Sequence, residues 1–308
     1  MTKVLVATVK PFAPAAINSI KTIIEKAGYE FILLEKYTDQ SELVKAVENV
    51  DALIIRSDKV TPEVISAGKN LKIVVRAGAG YDNVNLEAAS ANQVVVMNTP
   101  GQNSNAVAEL ALGMMVYYAR NCFNGKAGTE LKGKKLGIHA YGNVGKIVGN
   151  IAKGFGMEVY AFDPFIPREQ IEKDGVTWTG SEEELYATCQ YVSLHIPANE
   201  HTIKSIDYHL LSKMPSGATL VNTARKEVID EESLMKIMNE KDDFGYISDI
   251  APDCADEIKE KFEGKYYFTP KKMGAQTAEA NINAGKAAAS QIVDFLEKGI
   301  KTFMVNKF

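Results

Sequence analysis

One pattern dominates this sequence: short runs rich in Val and Ile alternate with stretches of helical spacing along most of the chain. Val4–Val9, Glu30–Leu34, Ala52–Ile55, Ile73–Val75 and Val94–Met97 read as strands, with helices at Ala15–Ala27 and Ser41–Glu48 between them. Thr61-Pro62-Glu63 marks a further helix start, with Pro in the first turn. A second series of strands follows at Lys135–Ala140, Val159–Phe162, Tyr191–Ile196, Thr219–Asn222, Gly245–Ile250 and Tyr266–Phe268. Such alternation implies parallel pairing, because each crossover helix returns the chain to the end of the sheet where it began. A parallel sheet is covered on both faces, so its strands are apolar without alternating. The fold class is α/β, and 308 residues, about twice a usual domain, make two such units.

Between the two series, Val107, Leu110, Ala111, Met114, Met115 and Tyr118 keep helical spacing, with cap candidates at Asn103-Ser104-Asn105. A second long helix, about Thr277 to Glu297, closes the chain, so the first unit is expected to regain roughly the last thirty residues. Thirty-five basic against 39 acidic residues give a net charge of −4, without the basic block that nucleic acid or an anionic membrane would need. The 14 residues from Ala106 to Ala119 are too few to cross a bilayer and include Glu109. The opening MTKVLVATVK reads as a strand and not as a signal peptide. Cys122, Cys189 and Cys254 stand far apart, which favours a reducing compartment over disulfides or zinc. A cytoplasmic protein with no metal, nucleic-acid or membrane partner is expected.

A cofactor signal begins at Lys135. The strand through Ala140 enters Tyr141-Gly142-Asn143-Val144-Gly145, a helix follows, and the next strand ends at Asp163. A glycine-rich turn between strand and helix brings backbone N–H groups close to a pyrophosphate, and the helix amino terminus favours its charge. Asp163, 18 residues after Gly145, stands where a carboxylate accepts hydrogen bonds from a ribose diol. Ala140 occupies the place of the first glycine in the usual pattern; an ordinary tight turn is the alternative. A 2′-phosphate would meet the charge of Asp163, so NAD is expected in preference to NADP.

The stretches IIRSDKVTPEVI, LKIVVRAGAGYDNVNLEAA, VVMNTPGQNSNAVAELALGMM, GTELKGKKLGI, LVNTARKEVID and TPKKMGAQTAEA, together with the nucleotide turn, resemble the D-2-hydroxyacid dehydrogenase family in family order. The resemblance implies two Rossmann-like domains with parallel sheets and an active site in the interdomain cleft. Residues 1–98 and 278–308 would form a flavodoxin-like substrate-binding domain, and residues 99–277 the NAD-binding domain. Arg225 would bind the substrate's carboxylate and carbonyl, as the planar fork of a guanidinium suits. Gly142, Asn143, Val144, Gly145, Asp163, Ile196, Pro197, Thr223, Ala224, Asp249 and Gly274 would hold the cofactor. Arg56, Ser57, Arg76, Gly78, Ala79 and Asn103 would hold the substrate, with glycine amides facing an anion. Two arginines beyond Arg225 suit a substrate carrying a phosphate besides its carboxylate. The expected reaction is NAD-dependent oxidation of 3-phospho-D-glycerate to 3-phosphohydroxypyruvate in serine biosynthesis, by a short form lacking a regulatory domain and working as a homodimer. The alternatives are a dehydrogenase or reductase of another small 2-hydroxy acid, of glyoxylate or hydroxypyruvate type, and a non-catalytic NAD-sensing interaction protein.

Three departures from the family pattern stand out. Lys226 replaces the glycine after the family arginine, and the stretch from Arg120 to Gly128 is shorter than in longer relatives. The family's catalytic histidine after Thr-Pro is Lys271, and its partner glutamate falls at about Cys254. A histidine needs that glutamate to fix its tautomer, whereas a lysine has none to fix. Lys271 is expected to move the substrate's proton, with desolvation in a closed cleft and the cations Arg225 and Lys272 favouring its neutral form; the alternative is a lysine that only binds the substrate's carboxylate or phosphate while a bound water moves the proton. His195 reads as structural, and His139, His201 and His209 fit no catalytic or metal spacing.

Overall fold

The computed structural model describes all of residues 1–308 and falls into two compact units, Met1–Asn103 with Thr277–Phe308, and Ser104–Gln276. In unit 1, β1 (Lys3–Thr8), β2 (Glu30–Glu35), β3 (Ala52–Ile55), β4 (Ile73–Arg76) and β5 (Val95–Asn98) are joined by α1 (Pro14–Lys26), α2 (Gln40–Val47), α3 (Pro62–Ala67) and α4 (Leu86–Ala91). All pairings are parallel, in the order β2-β1-β3-β4-β5. Local chemistry starts these helices: Pro14 and Pro62 begin α1 and α3, and Asp39 with Glu42 forms a capping box on α2.

Unit 2 opens with α5 (Ser104–Ala119) and continues through β6 (Lys135–His139), α6 (Asn143–Gly154), β7 (Glu158–Phe162), α7 (Arg168–Lys173), β8 (Thr177–Trp178) and α8 (Glu182–Thr188). It continues with β9 (Tyr191–Leu194), α9 (Tyr208–Lys213), β10 (Thr219–Asn222), α10 (Glu231–Glu240), β11 (Gly245–Ser248), α11 (Ala255–Lys261) and β12 (Tyr266–Phe268). Its parallel sheet runs β12-β11-β10-β9-β6-β7-β8. The last helix, α12 (Ala278–Lys298), belongs to unit 1, where Ala284, Ala288 and Ile292 join Ile20 and Ile24 of α1 in the core. No helix is long and apolar enough to cross a membrane.

In each sheet the strand order reverses once, between β1 and β3 in unit 1 and between β6 and β9 in unit 2. At such a point the loops leaving the carboxyl ends diverge and open a crevice, the usual ligand position in open α/β sheets. The α/β class and the two parallel sheets follow the reading of the sequence. Three details differ. Ala140, Ile196 and Ile250 read as strand residues, but their strands end at His139, Leu194 and Ser248. Apolar continuity carries past the point where the backbone turns out of the sheet. The expected stripe on α5 does face the core, with Ala111, Met114 and Met115 buried and Leu110 and Tyr118 partly buried against them, but burial spreads beyond it to Ala108 and Leu112. That helix is apolar nearly all round, so spacing does not single out one side. The two-residue β8 carries no run long enough to have been read.

The exposed edge of the unit 1 sheet is closed by the chain's last residues. Asn306 is 5% exposed; its Oδ1 accepts the Val96 N–H at 2.8 Å and its Nδ2 donates to the Val94 carbonyl at 2.9 Å. The amide thus extends a short backbone pairing of the same segment, in which the Val305 N–H donates to the Val96 carbonyl at 2.9 Å, along the edge of β5. Asn306→Ala strands both backbone groups and is expected to cost about 1–3 kcal/mol in urea unfolding; an unchanged midpoint would mean that water replaces the amide.

Candidate active site

The nucleotide turn lies at the strand reversal of unit 2. Ala140 leaves β6 with φ of 77°, a conformation that glycine adopts freely and alanine does not, so it serves as the first glycine of the pattern in geometry though not in chemistry. Gly145 is fixed by close approach: a Cβ there would lie 2.3 Å from the Ala140 carbonyl oxygen. Gly142 precedes α6 with nothing within 4 Å of where its side chain would be. Asn143 and Val144 open the helix, where amides have no intrahelical acceptor. This open, amide-lined helix start fits the pyrophosphate of NAD.

Asp163, just after β7, ties the turn down. Its Oδ2 accepts the Tyr141 N–H and its Oδ1 the Phe165 N–H, each at 2.8 Å. A carboxylate has about four acceptor positions, so capacity for a ribose diol remains. Ile196 and Pro197 follow β9, and Thr223 and Ala224 follow β10. The Thr223 hydroxyl is buried without a partner, which suits a site made to meet a polar ligand. His195 approaches Ser193 at 3.0 Å; desolvation and the neighbouring His139 push its pKa down to about 3, so it is neutral near pH 7.

Arg225 sits in extended backbone after β10. Its loop is shaped by Asn222, whose Oδ1 accepts the Ala224 N–H and whose Nδ2 donates to the Arg225 carbonyl, both at 2.9 Å. Asn222 was not anticipated; its signal is an amide side chain ending an otherwise apolar strand. Asp249, 1% exposed, plays the same part after β11. It accepts the Met273 N–H at 2.6 Å and the Gly274 N–H at 2.8 Å, with the Thr269 hydroxyl 3.0 Å away. Asp249 and Gly274, each expected at the cofactor, are hydrogen-bonded to each other. Lys271 lies on the loop they hold, and its carbonyl accepts from the Thr269 hydroxyl at 2.8 Å. The Lys271 side chain, like that of Lys272, is exposed.

In unit 1 the strand reversal carries Arg56, immediately after β3, with its guanidinium 5.7 Å from the ring centre of Phe12. Burial lowers its pKa, against the opposing pull of Asp58. The Arg76 Nε donates to the Arg56 carbonyl at 3.0 Å. Gly78 requires a correction: it was expected to offer its N–H to an anion, but that N–H donates to the Arg76 carbonyl at 2.9 Å. Its missing side chain is what matters, since a Cβ would lie 1.6 Å from Arg76 Nη1. The Ala79 carbonyl accepts from Asn98 Nδ2 at 2.6 Å; Ser57 is exposed, and Asn103 directly precedes α5. The buried Asp58, which sequence reasoning missed, accepts the Val9 N–H at 2.6 Å and the Tyr37 hydroxyl at 2.9 Å and so fixes the loop behind Arg56. Ala140→Gly is expected to raise stability by about 1 kcal/mol in thermal unfolding by relieving the left-handed strain, whereas destabilisation would show that the Ala140 methyl carries essential packing.

Residues 114–254 match the NAD-binding domain of D-isomer specific 2-hydroxyacid dehydrogenases. The crystal structure of NAD⁺-bound 3-phosphoglycerate dehydrogenase from Entamoeba histolytica is 48% identical, covers 100% of this chain and 99% of its own, and superposes with a TM-score of 0.90. The hydroxypyruvate reductase of Thermotoga maritima is 36% identical over 289 residues, 88% of this chain and 92% of that protein. The D-3-phosphoglycerate dehydrogenase of Methanocaldococcus jannaschii is 34% identical over 286 residues, 87% of this chain but only 54% of its own, so the chain spans about half of that relative's length. With an NAD-binding turn in unit 2, parallel sheets in both units and this likeness along its length, the chain belongs to the D-isomer specific 2-hydroxyacid dehydrogenase family of NAD-dependent oxidoreductases.

Proposed function

We propose that the protein oxidises 3-phospho-D-glycerate to 3-phosphohydroxypyruvate with NAD, the opening step of serine biosynthesis. The observation that carries this reading is surplus guanidinium charge at the carboxyl ends of both sheets. Neither Arg56 nor Arg225 has an ion-pair partner among the protein's acidic side chains. A half-buried cation without a counter-ion is costly unless a ligand supplies the charge. Arg225 is assigned to the substrate's carboxylate and developing carbonyl, and Arg56 with Arg76 to its phosphate. The 48% identity to the Entamoeba phosphoglycerate dehydrogenase supports the same substrate.

When bound, NAD supplies the hydride acceptor. The chain's own part is to orient C2 through Arg225 and to remove the hydroxyl proton. Lys271 takes that proton in oxidation and returns it in reduction; substrate and cofactor supply the burial that the chain alone does not. The amides that open α6 hold the pyrophosphate, and Asp163 the adenosine ribose. Assembly as a homodimer and placement in the cytoplasm belong to the same reading, the latter in keeping with three cysteines that form no disulfide.

Likeness to the Thermotoga hydroxypyruvate reductase over 92% of its length favours a second reading, reduction of an unphosphorylated 2-oxo acid. Steady-state kinetics separate the two. Phosphoglycerate is expected to give the highest kcat/KM among 2-hydroxy acids, and Arg56→Met to raise its KM about tenfold or more while sparing D-glycerate, as losing a charge-assisted contact would. Equal losses on both substrates would transfer the assignment to the second reading. Lys271→Arg should lower oxidative kcat about 100-fold or more, since arginine cannot release its proton; retained kcat with an unchanged pH profile would remove Lys271 as the base.

A further inference from the structure

Two departures from the family pattern, Lys226 after the substrate arginine and Cys254 in place of the glutamate, meet in one cluster. Lys226 opens a 3-10 turn, Lys226–Val228, directly after Arg225. Its Nζ donates to Asp253 Oδ1, an ion pair in which Lys226 is 30% and Asp253 79% exposed. Glu231, the first residue of α10, accepts the N–H groups of Asp253 and Cys254 on its two carboxylate oxygens, both at 2.8 Å. The loop after β11 is therefore held at its start by Asp249 and at its far end by Glu231 and Lys226.

We propose that Lys226, Asp253 and Glu231 form a positioning bracket that couples the Arg225 loop to the loop after β11. Resting on the reading of Arg225 as the carboxylate-binding group, the bracket sets where Arg225 presents its guanidinium. Three carboxyl-end loops then move as one: Asp249 joins those after β11 and β12, and the bracket joins those after β10 and β11. Cys254 cannot supply a carboxylate link. Desolvation, with Glu231 beside it, pushes its thiol up to about 12, so it is a neutral thiol near pH 7. Glu231 brings a carboxylate to the same residue from the neighbouring helix instead. Glycine after the arginine could not form the ion pair, so lysine at position 226 and aspartate at position 253 have meaning only together. The hydrogen bond to Asp253 raises the Lys226 pKa, so the lysine stays an ammonium whose charge the aspartate offsets, leaving Arg225 as the cation offered to a carboxylate on this turn.

The test is a charge cycle on the full chain with NAD and the preferred hydroxy acid. Lys226→Gln and Asp253→Asn should each raise substrate KM about threefold to fivefold, the range of a partly exposed ion pair, with kcat and NAD affinity within about twofold of the parent. The reversed pair, Lys226→Asp with Asp253→Lys, should recover most of the loss. Hydrogen exchange gives a readout independent of turnover: Asp253→Asn should speed exchange at amides 226–229, across the ion pair from the substitution, and Glu231→Gln at amides 253 and 254. A KM rise for Lys226→Gln but not for Asp253→Asn would mean that Lys226 contacts substrate itself and would overturn the bracket. Parent-like exchange at amides 226–229 in Asp253→Asn would overturn the coupling. A parent that binds NAD but turns over no 2-hydroxy acid would refute the functional reading, while the exchange data would still decide the bracket.

Discussion

Backbone amides donating to buried carboxylates hold this protein's functional loops in place. Asp163 accepts from Tyr141 and Phe165, Asp249 from Met273 and Gly274, and Asp58 from Val9. Each stands just past the carboxyl end of a strand, where the ladder stops and the chain must turn with amides unpaired. Charge-assisted bonds of this kind are about twice as strong as neutral ones, and a buried carboxylate without them would be prohibitively costly. The sheets position the strand ends, and the carboxylates decide what the chain does after leaving them.

That arrangement separates rigidity from binding. In unit 2 the loop carrying Lys271 is held through its own backbone by Asp249, which leaves the lysine side chain exposed and available. In unit 1 Asp58 is taken up by Val9 and Tyr37, so it does not pair with the Arg56 guanidinium, which rests against Phe12. Other groups shape the loops around these cations, so neither side chain is spent on holding its own loop.

Eleven of the twelve strands were legible from apolar runs, since parallel strands buried on both faces have few other sequences open to them, whereas only half of the helices were, α4 and α7 to α11 going unread. The nucleotide turn was legible despite Ala140, because Gly142, Gly145 and Asp163 keep their spacing and the backbone imposes the glycine conformation on alanine. Asp58 and Glu231 were not, because the groups they accept from, Val9 and Tyr37 for the one and Asp253 and Cys254 for the other, are brought near only by folding; Asn222 bonds two and three residues ahead, and its one signal is an amide that ends a strand. Gly78 shows the limit of reading a glycine as an amide donor: its role is the space it leaves for Arg76, a contact between residues whose side chains the sequence cannot orient. On α5 the burial is wider than the expected stripe, since a helix apolar on nearly every side does not confine its buried face to one row.

Asp163 anchors the nucleotide turn, and the proposed function gives it a second part as the carboxylate that meets the adenosine ribose. Calorimetric titration of the protein with NAD and with NADP tests it most directly. The account expects NAD to bind at least about tenfold more tightly, because a 2′-phosphate would meet a fixed negative charge. NADP binding as tightly as NAD would contradict it, and would mean that Asp163 only anchors the turn.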